Sequence, residues 1–563
     1  MKKVKEERGA IALIVLVSML FLVSFLISSY IITSNRAKME IELTEELAKT
    51  YDNTEEFTVY DNPEGREYIP IYTLEQLKTA LETTGNTIEI NGQTYEIAED
   101  SYIALQNDIE YNEGNYTISE DGVAVFDSST ATQWIPIDVR DDFEGTIDGL
   151  GHTISGLYIS NTSEGMGLLK DNRGTVKNLI INNSSFSARG NLGSIAGENY
   201  GIIENCYVNA FVEGNRGTDL LLRANIGGIA GNNTEDGIIR NCTSIGNMTA
   251  RTSSVAYKNF GGIAGYNNGT IQNCKNYMQI TINTSVNINQ IGGISGEQST
   301  TGTVQGCENH GIIKGVDRVG GIVGISVGEI RNCQNEALIE NQSAPISGTK
   351  YAIGGIVGTN NDEIYKCSNT GNIMGNSITA AGGIVGNYEI IISSYTGKLE
   401  ECFNSGSVQG KQVGGIVGIL NAIRGNVFNS YNKSSSITGD AEYSGGIVGD
   451  FKKGTVSYCY NIGTISSDRT IAGTIEAPYA GKIQDCYANR DSGLYLFRVY
   501  NSSDGTSSMV DNDTTKNLLL MRQTDMQDPS FAVTLNNNAD PAIWQADLNP
   551  NINNGYPILS WQH

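Results

Sequence analysis

One pentapeptide recurs nine times between residues 193 and 449, and a chain that repeats itself in this way is committed to a stack of equivalent units. It reads Gly193-Ser194-Ile195-Ala196-Gly197 at first, then G-G-I-A-G from 227 and 261, G-G-I-S-G from 292, and G-G-I-V-G from 320, 354, 382, 414 and 445. A second element trails each copy, typified by Gly269-Thr270-Ile271-Gln272-Asn273-Cys274-Lys275-Asn276. All nine cysteines (Cys206, Cys242, Cys274, Cys307, Cys333, Cys367, Cys402, Cys459 and Cys486) occupy one slot of it; Ser430 fills that slot once and Leu179 fills it in a degenerate first copy. Insertions fall between fixed elements, which is how a solenoid varies its loops while keeping its core strands.

The units cannot be stacked helices. Their apolar runs are short, bounded by Gly and Asn and dominated by Ile and Val, with no segment of helical length or period. Three such runs per unit predict a coil of three short strands: the G-G-I-V-G run, the run into the cysteine, and a third such as Gly311-Ile312-Ile313-Lys314-Gly315. Coils stacked in register at ~4.8 Å would form a parallel β-helix with equivalent residues in columns. Two places before each cysteine stand Glu204, Arg240, Gln272, Gln305, Arg331, Tyr365, Glu400, Ser457 and Gln484, an outward series. One place earlier stands an aliphatic residue, expected inside. That residue and the cysteine are three apart, so both face inward only if the chain bends between them. Asn205, Asn241, Asn273 and Asn332 sit at the bend, and Asn tolerates the left-handed conformation. The G-G pair implies a tight corner or a close approach of backbones.

Upstream of the repeats, Thr73-Leu74-Glu75-Gln76 reads as a capping box opening a short helix with Leu74, Leu77 and Leu81 on one face. Asn91-Gly92 between Thr87-Ile88-Glu89-Ile90 and Gln93-Thr94-Tyr95-Glu96-Ile97 reads as a type I′ hairpin. From Ala10 to Thr33 the chain carries no charge, long enough to span a bilayer, and Lys2, Lys3, Lys5 and Arg8 precede it. The expectation is one membrane helix with the remainder outside the cell. A net charge of -25 argues against nucleic acid as a partner.

The G-G-I-V-G and G-x-I-x-N-C-x-N-x-G pattern resembles the GLUG repeat of bacterial surface proteins, also found beside immunoglobulin-A-cleaving metalloproteases. The lead-in Trp134-Ile135-Pro136-Ile137 with Phe143-Glu144-Gly145-Thr146-Ile147-Asp148-Gly149, and the ending Gly555-Tyr556-Pro557-Ile558-Leu559-Ser560-Trp561, are similar to that family's flanks, so the resemblance covers roughly 66 to 563. Glu7-Arg8-Gly9-Ala10 resembles prepilin N-termini, although Ile14 stands where such pilins carry a glutamate.

Residues with chemical potential are few. His152, His310 and His563 form no H-E-x-x-H pattern, so the zinc protease is absent; His152, in a D-G-x-G-H string, reads as a turn residue. No C-x-x-C pair exists, and the thiols read as buried, free and apolar. Asp138, Asp141 and Asp142 are the densest acidic group near a strand and read as a solvated loop, and no aligned acidic row is evident.

The sequence therefore predicts an all-β chain, a right-handed pectate-lyase-like parallel β-helix. Its expected parts are a basic stub and membrane helix (1–33), an acidic stalk (34–65), a small α+β cap (66–130), the β-helix (131–490) and a C-terminal capping region (491–563). No catalytic residue, cofactor or metal ligand is expected. The expected role is a membrane-anchored surface scaffold contacting glycans or host or cell-surface proteins, with a minor pilin or a polysaccharide-active enzyme as the alternatives.

Overall fold

A computed structural model describes residues 68–562, apart from segments at 83–86, 120–121, 163–165, 216–223, 251–257, 283–288, 342–350, 390–396, 468, 478–480, 494, 502–505 and 549–551. The expected membrane helix, the stalk and the Gly9 region lie outside the described residues. Among those residues no helix is long and apolar enough to cross a membrane.

Tyr68–His563 is one compact unit, a parallel β-solenoid of about thirteen turns. Three stacked sheets, of 25, 21 and 8 strands, make its walls. One coil shows the plan. Ala224–Gly227 lies in the small sheet, and Ala230–Asn233 and Ile238–Arg240 both lie in the large sheet. The chain turns at Asn241 into Thr243–Ala250 of the middle sheet. The expected division into three runs is thus redrawn: G-G is the corner between the small and large sheets, and the runs before and after the internal turn share one sheet.

Each column of the interior is as the repeat requires. Ile103, Ile147, Val176, Ile203, Ile239, Ile271, Val304, Ile330, Ile364, Leu399, Val427, Val456 and Ile483 stand above one another in register, and all are buried. The thiols form a second buried column. The bend between them is left-handed in every coil, with Asn205, Asn241, Asn273 and Asn332 at φ 53° to 54°. Lys366, Glu401 and Tyr458 adopt the same conformation at φ 53° to 55° where no Asn is available, so stacking imposes it at some local cost. Of the nine outward residues two places before the cysteines, only Ser457 is buried.

The G-G pair settles as close approach rather than positive φ. An added Cβ on Gly383 would collide with the Gly415 carbonyl oxygen of the next coil and with the Asn404 side chain. Gly355 meets Gly383 and Asn369 in the same way, as Gly415 meets Gly446 and Asn432. The second glycine of the pentapeptide and the Asn two places after the cysteine are therefore the two sides of one contact across a narrow interior.

That Asn forms a ladder. Asn276, Asn309, Asn335, Asn369, Asn404, Asn432 and Asn461 are fully buried, and each donates its Nδ2 to the Oδ1 of the next at 2.7 to 3.0 Å. A second ladder joins Asn172, Asn199, Asn233 and Asn267 at 2.8 Å per step. Buried amides of this kind are stable only when paired, which only a neighbouring coil in register provides.

Both ends depart from the repeat. At the N-terminal side, Leu74–Glu82 is helical and its capping box closes: Gln76 N donates to Thr73 Oγ1 at 3.2 Å and Tyr72 N to Gln76 Oε1 at 2.8 Å. Asn91 and Gly92 have positive φ and join the antiparallel pair Thr87–Ile90 and Gln93–Glu96. Leu74, Leu77, Leu81, Ile88 and Ile90 join the core of the coils. At the other side, Phe497–Asn501 and Ser507–Val510 form an antiparallel hairpin on the last coils. The chain then runs back along the outside of the middle sheet, where Phe531, Trp544, Tyr556 and Leu559 pack on Tyr431, Tyr460 and Tyr487. Phe403, Tyr431 and Tyr460, each next to the cysteine slot, stack at 5.2 and 5.0 Å between ring centroids.

Candidate functional site

A site can lie only on the exterior, because buried columns of aliphatic, Cys and Asn side chains fill the interior. Cys206, Cys274, Cys307, Cys333, Cys367 and Cys486 have their thiols pushed well up by burial, so they are not poised as nucleophiles. Among the described residues no cluster of three or more His, Cys, Asp and Glu could hold a metal ion.

The three aspartates singled out in the sequence do not form a site. Each pairs with a different cation: Asp138 with Lys170 at 2.5 Å, Asp141 with Arg173 at 3.2 Å, and Asp142 with Arg140 at 3.0 Å. Arg140 also donates to the Ala98 carbonyl at 2.6 Å, and lies in an open, largely acidic cleft of about 700 Å³ with Glu96, Glu99, Asp100 and Glu144. His152 contacts Asp108 at 3.2 Å, and Asp108 also accepts from Thr153 N at 2.9 Å, the turn role expected of it. His310 is held more tightly. Its Nε2 lies 3.0 Å from Glu308 and its Nδ1 3.1 Å from Glu336, and its ring stacks on Tyr277 at 4.6 Å. These two carboxylates hold the imidazole protonated, with its pKa raised to about 9 against the opposing effect of burial.

The arrangement with most chemical potential was not read in the sequence. Asp171 and Glu198 occupy the same outward place on adjacent coils, in direct register. Burial, and then the Glu198 charge, raise the Asp171 pKa. Glu198 accepts from Asn191 Nδ2 at 2.8 Å, Tyr200 Oη at 3.0 Å and Asn232 Nδ2 at 3.3 Å. A line of amides feeds it, Asn259 to Asn225 and Asn225 to Asn191, each at 2.9 Å. Two acids therefore align as a pair, which is short of a row. The row ends there: Asn232, Tyr266 and Glu297 follow in register. The signal was present in the acidic residue before each ladder Asn, Asp171-Asn172 and Glu198-Asn199, but 27 residues separate the two acids and only stacking makes them neighbours.

The GLUG motif family model matches residues 223–249, and the described part of that span runs through one coil of the solenoid, from Ala224 in the small sheet into the middle-sheet strand Thr243–Ala250. The chain carries a GLUG motif, and its other coils repeat the letters of that span. One relative is Halomucin of Haloquadratum walsbyi, 36% identical over 100 residues. That match covers 17% of this chain and about 1% of Halomucin. A solved structure, a candidate immunoglobulin A1 protease from Bacteroides ovatus, is 20% identical, covering 54% of this chain and 84% of its own, with a TM-score of 0.36. In this chain the matched letters include those that make contacts between coils.

Proposed function

We propose that this GLUG-repeat chain is a membrane-anchored surface scaffold that projects its β-helix outward and engages glycans or cell-surface proteins through its exterior. The supporting observation is the contrast between the two sides of the wall. Interior columns repeat Ile or Val, Cys and Asn from coil to coil, whereas the outward row of the large sheet runs Asp171, Glu198, Asn232, Tyr266, Glu297 and Ile325 with no repeated chemistry. A scaffold selects its core and leaves its surface free to diverge. The net charge of -25 keeps such a surface soluble.

A second reading, a polysaccharide-active enzyme, is favoured by the Asp171 and Glu198 pair alone. Two carboxylates in unlike environments, one with a raised pKa, are what acid-base cleavage of a glycosidic bond uses. One experiment separates the readings: the full-length chain in detergent is screened on a polysaccharide panel for both retention and release of reducing ends. Retention without release supports the scaffold. Release that is lost in Asp171→Asn and Glu198→Gln refutes it in favour of the enzyme. N-terminal sequencing of the mature protein tests the minor-pilin alternative, which requires a new terminus at Ala10.

A further inference from the structure

We propose that the exterior corner between the small and large sheets is a binding cleft for a neutral glycan chain that lies along the solenoid axis, from Asp171 to Glu297. The proposal rests on the glycan part of the scaffold reading and gives it a ligand class and a place. Two outward columns line the corner. The large sheet supplies Asp171, Glu198, Asn232, Tyr266 and Glu297, one from each of five successive coils. The small sheet supplies Asn191, Asn225, Asn259 and Gln290, each the neighbour of a buried core residue and so on the opposite side of its strand. Side chains of the two columns meet: Asn191 Nδ2 donates to Glu198 Oε1 at 2.8 Å, and further along Gln412 Nε2 donates to Asp450 Oδ2 at 3.4 Å. Outward side chains diverge on a convex corner, and these converge, so the corner is concave. Asn259 and Gln290 are accordingly buried, at 2% and 6% exposure, although they face out of the coils.

The cleft is short of donors. Among the described residues the half-buried Asp171 carboxylate is reached by no hydrogen bond, only by the charges of Glu198, Arg173, Asp138 and Lys170. Deeper in, Asn232 Oδ1 and Gln290 Oε1 are buried without a partner. Asn232 is held that way round, because its Nδ2 donates to Glu198 Oε2 at 3.3 Å. Unpaired acceptors in a concave place are costly, and a ligand that brings hydroxyl donors relieves them. Tyr200 and Tyr266 add rings with a polar tip, on which the apolar face of a sugar ring can rest.

The charges select a neutral chain. Glu198 already accepts from three donors, on Asn191, Tyr200 and Asn232, so it needs no cation. Its charge, with those of Asp171 and Glu297, repels an anionic polysaccharide. Lys170 and Arg173, paired with Asp138 and Asp141, stand beside Asp171 and oppose a basic peptide. Coils succeed one another at ~4.8 Å, close to the advance of one sugar in an extended chain, so five coils present five successive subsites.

The test titrates the full-length chain in detergent, by calorimetry, with cello-, xylo-, manno- and laminari-oligosaccharides from the disaccharide to the hexasaccharide, and with hexagalacturonate and hexalysine. The expected result is that at least one neutral series binds, with affinity rising to the pentasaccharide and levelling there. Asp171→Ala and Tyr266→Ala are each expected to weaken that binding roughly tenfold, while Asn372→Ala, on the middle sheet, leaves it unchanged. Binding that is equal in all three variants, or that does not grow with chain length in the parent, overturns the cleft and leaves the scaffold reading in place. A parent that binds no neutral series, or binds hexagalacturonate or hexalysine more tightly, overturns the cleft and removes neutral glycans from that reading.

Discussion

Asn369→Ala tests whether the buried amide ladder holds the coils in register. Asn369 Nδ2 donates to the Gly371 carbonyl at 2.8 Å and to Asn404 Oδ1 at 2.7 Å, and its Oδ1 accepts from Asn335 Nδ2 at 2.7 Å. Truncation removes all three bonds. Asn335 Nδ2 keeps the Ala337 carbonyl at 3.0 Å, but Asn404 Oδ1 and the Gly371 carbonyl lose their side-chain donor inside the core. At about 1–3 kcal/mol for each buried group left unsatisfied, the cost is about 3 kcal/mol. In a solenoid that loss falls on the mutated coil and its neighbours. The assay is therefore local amide hydrogen exchange by mass spectrometry, where about 3 kcal/mol corresponds to roughly a hundredfold loss of protection. That loss is expected for the strands at Asn335, Asn369 and Asn404, with the coils at Val176 and Ile203 unchanged. Asn372→Ala, on an exposed residue that accepts a single bond from Ser407 N at 3.1 Å, is the control and should cost less than about 1 kcal/mol. A change below tenfold around Asn369, or one equal to the control, would refute the ladder as a source of register.

Two further outcomes follow from the titratable groups. Because the His310 pKa is raised from 6.5 to about 9, its contribution is fully present below pH 6.5 and is lost as pH rises through 9; a shift of that size is worth on the order of 3 kcal/mol. Glu308 and Glu336, both lowered chiefly by the hydrogen bond to His310, stabilise above their usual range and cease to do so as pH falls. Exchange protection around residues 308–340 should therefore fall between pH 6 and pH 10 in the parent and stay flat in His310→Gln; a parent with no such fall shows the trio to be energetically idle. The thiols should be inert: a thiol reagent is expected to label none of the nine in the native chain and all nine after unfolding. Cys367→Ser should cost less than about 1.5 kcal/mol, because Ser430 already fills the slot, donating to the Phe428 carbonyl at 2.7 Å and accepting from Cys402 N at 3.2 Å. Native labelling, or a Ser variant that fails to stack, would contradict the column as described.

Most of the fold was legible because a solenoid writes each nearest-neighbour contact once per repeat. Ile and Cys three apart implied the bend at Asn241, and the hydrogen-bonding code of Thr73 to Gln76 and of Asn91-Gly92 is local. The candidate site was less legible. Asp171 and Glu198 become a pair only through the register of two coils, and nothing in either local string distinguishes a paired acid from a solvated one. The Asn two places after the cysteine was visible as a letter, yet its contact with the second glycine crosses the interior and needs the coil closed.

The sequence by itself determined the coil, its period and which residues face inward, since those depend on spacings of a few residues and on side chains that cannot be buried unpaired. Tertiary structure decided where the chain lies once the repeat stops. The aromatic stack at Phe403, Tyr431 and Tyr460 is covered by residues such as Gln562, whose side chain meets the Tyr431 hydroxyl across 131 positions of sequence. Lys366, Glu401 and Tyr458 are left-handed because the coils above and below require it. Both facts come from contacts between distant parts of the chain, which no local pattern of letters encodes.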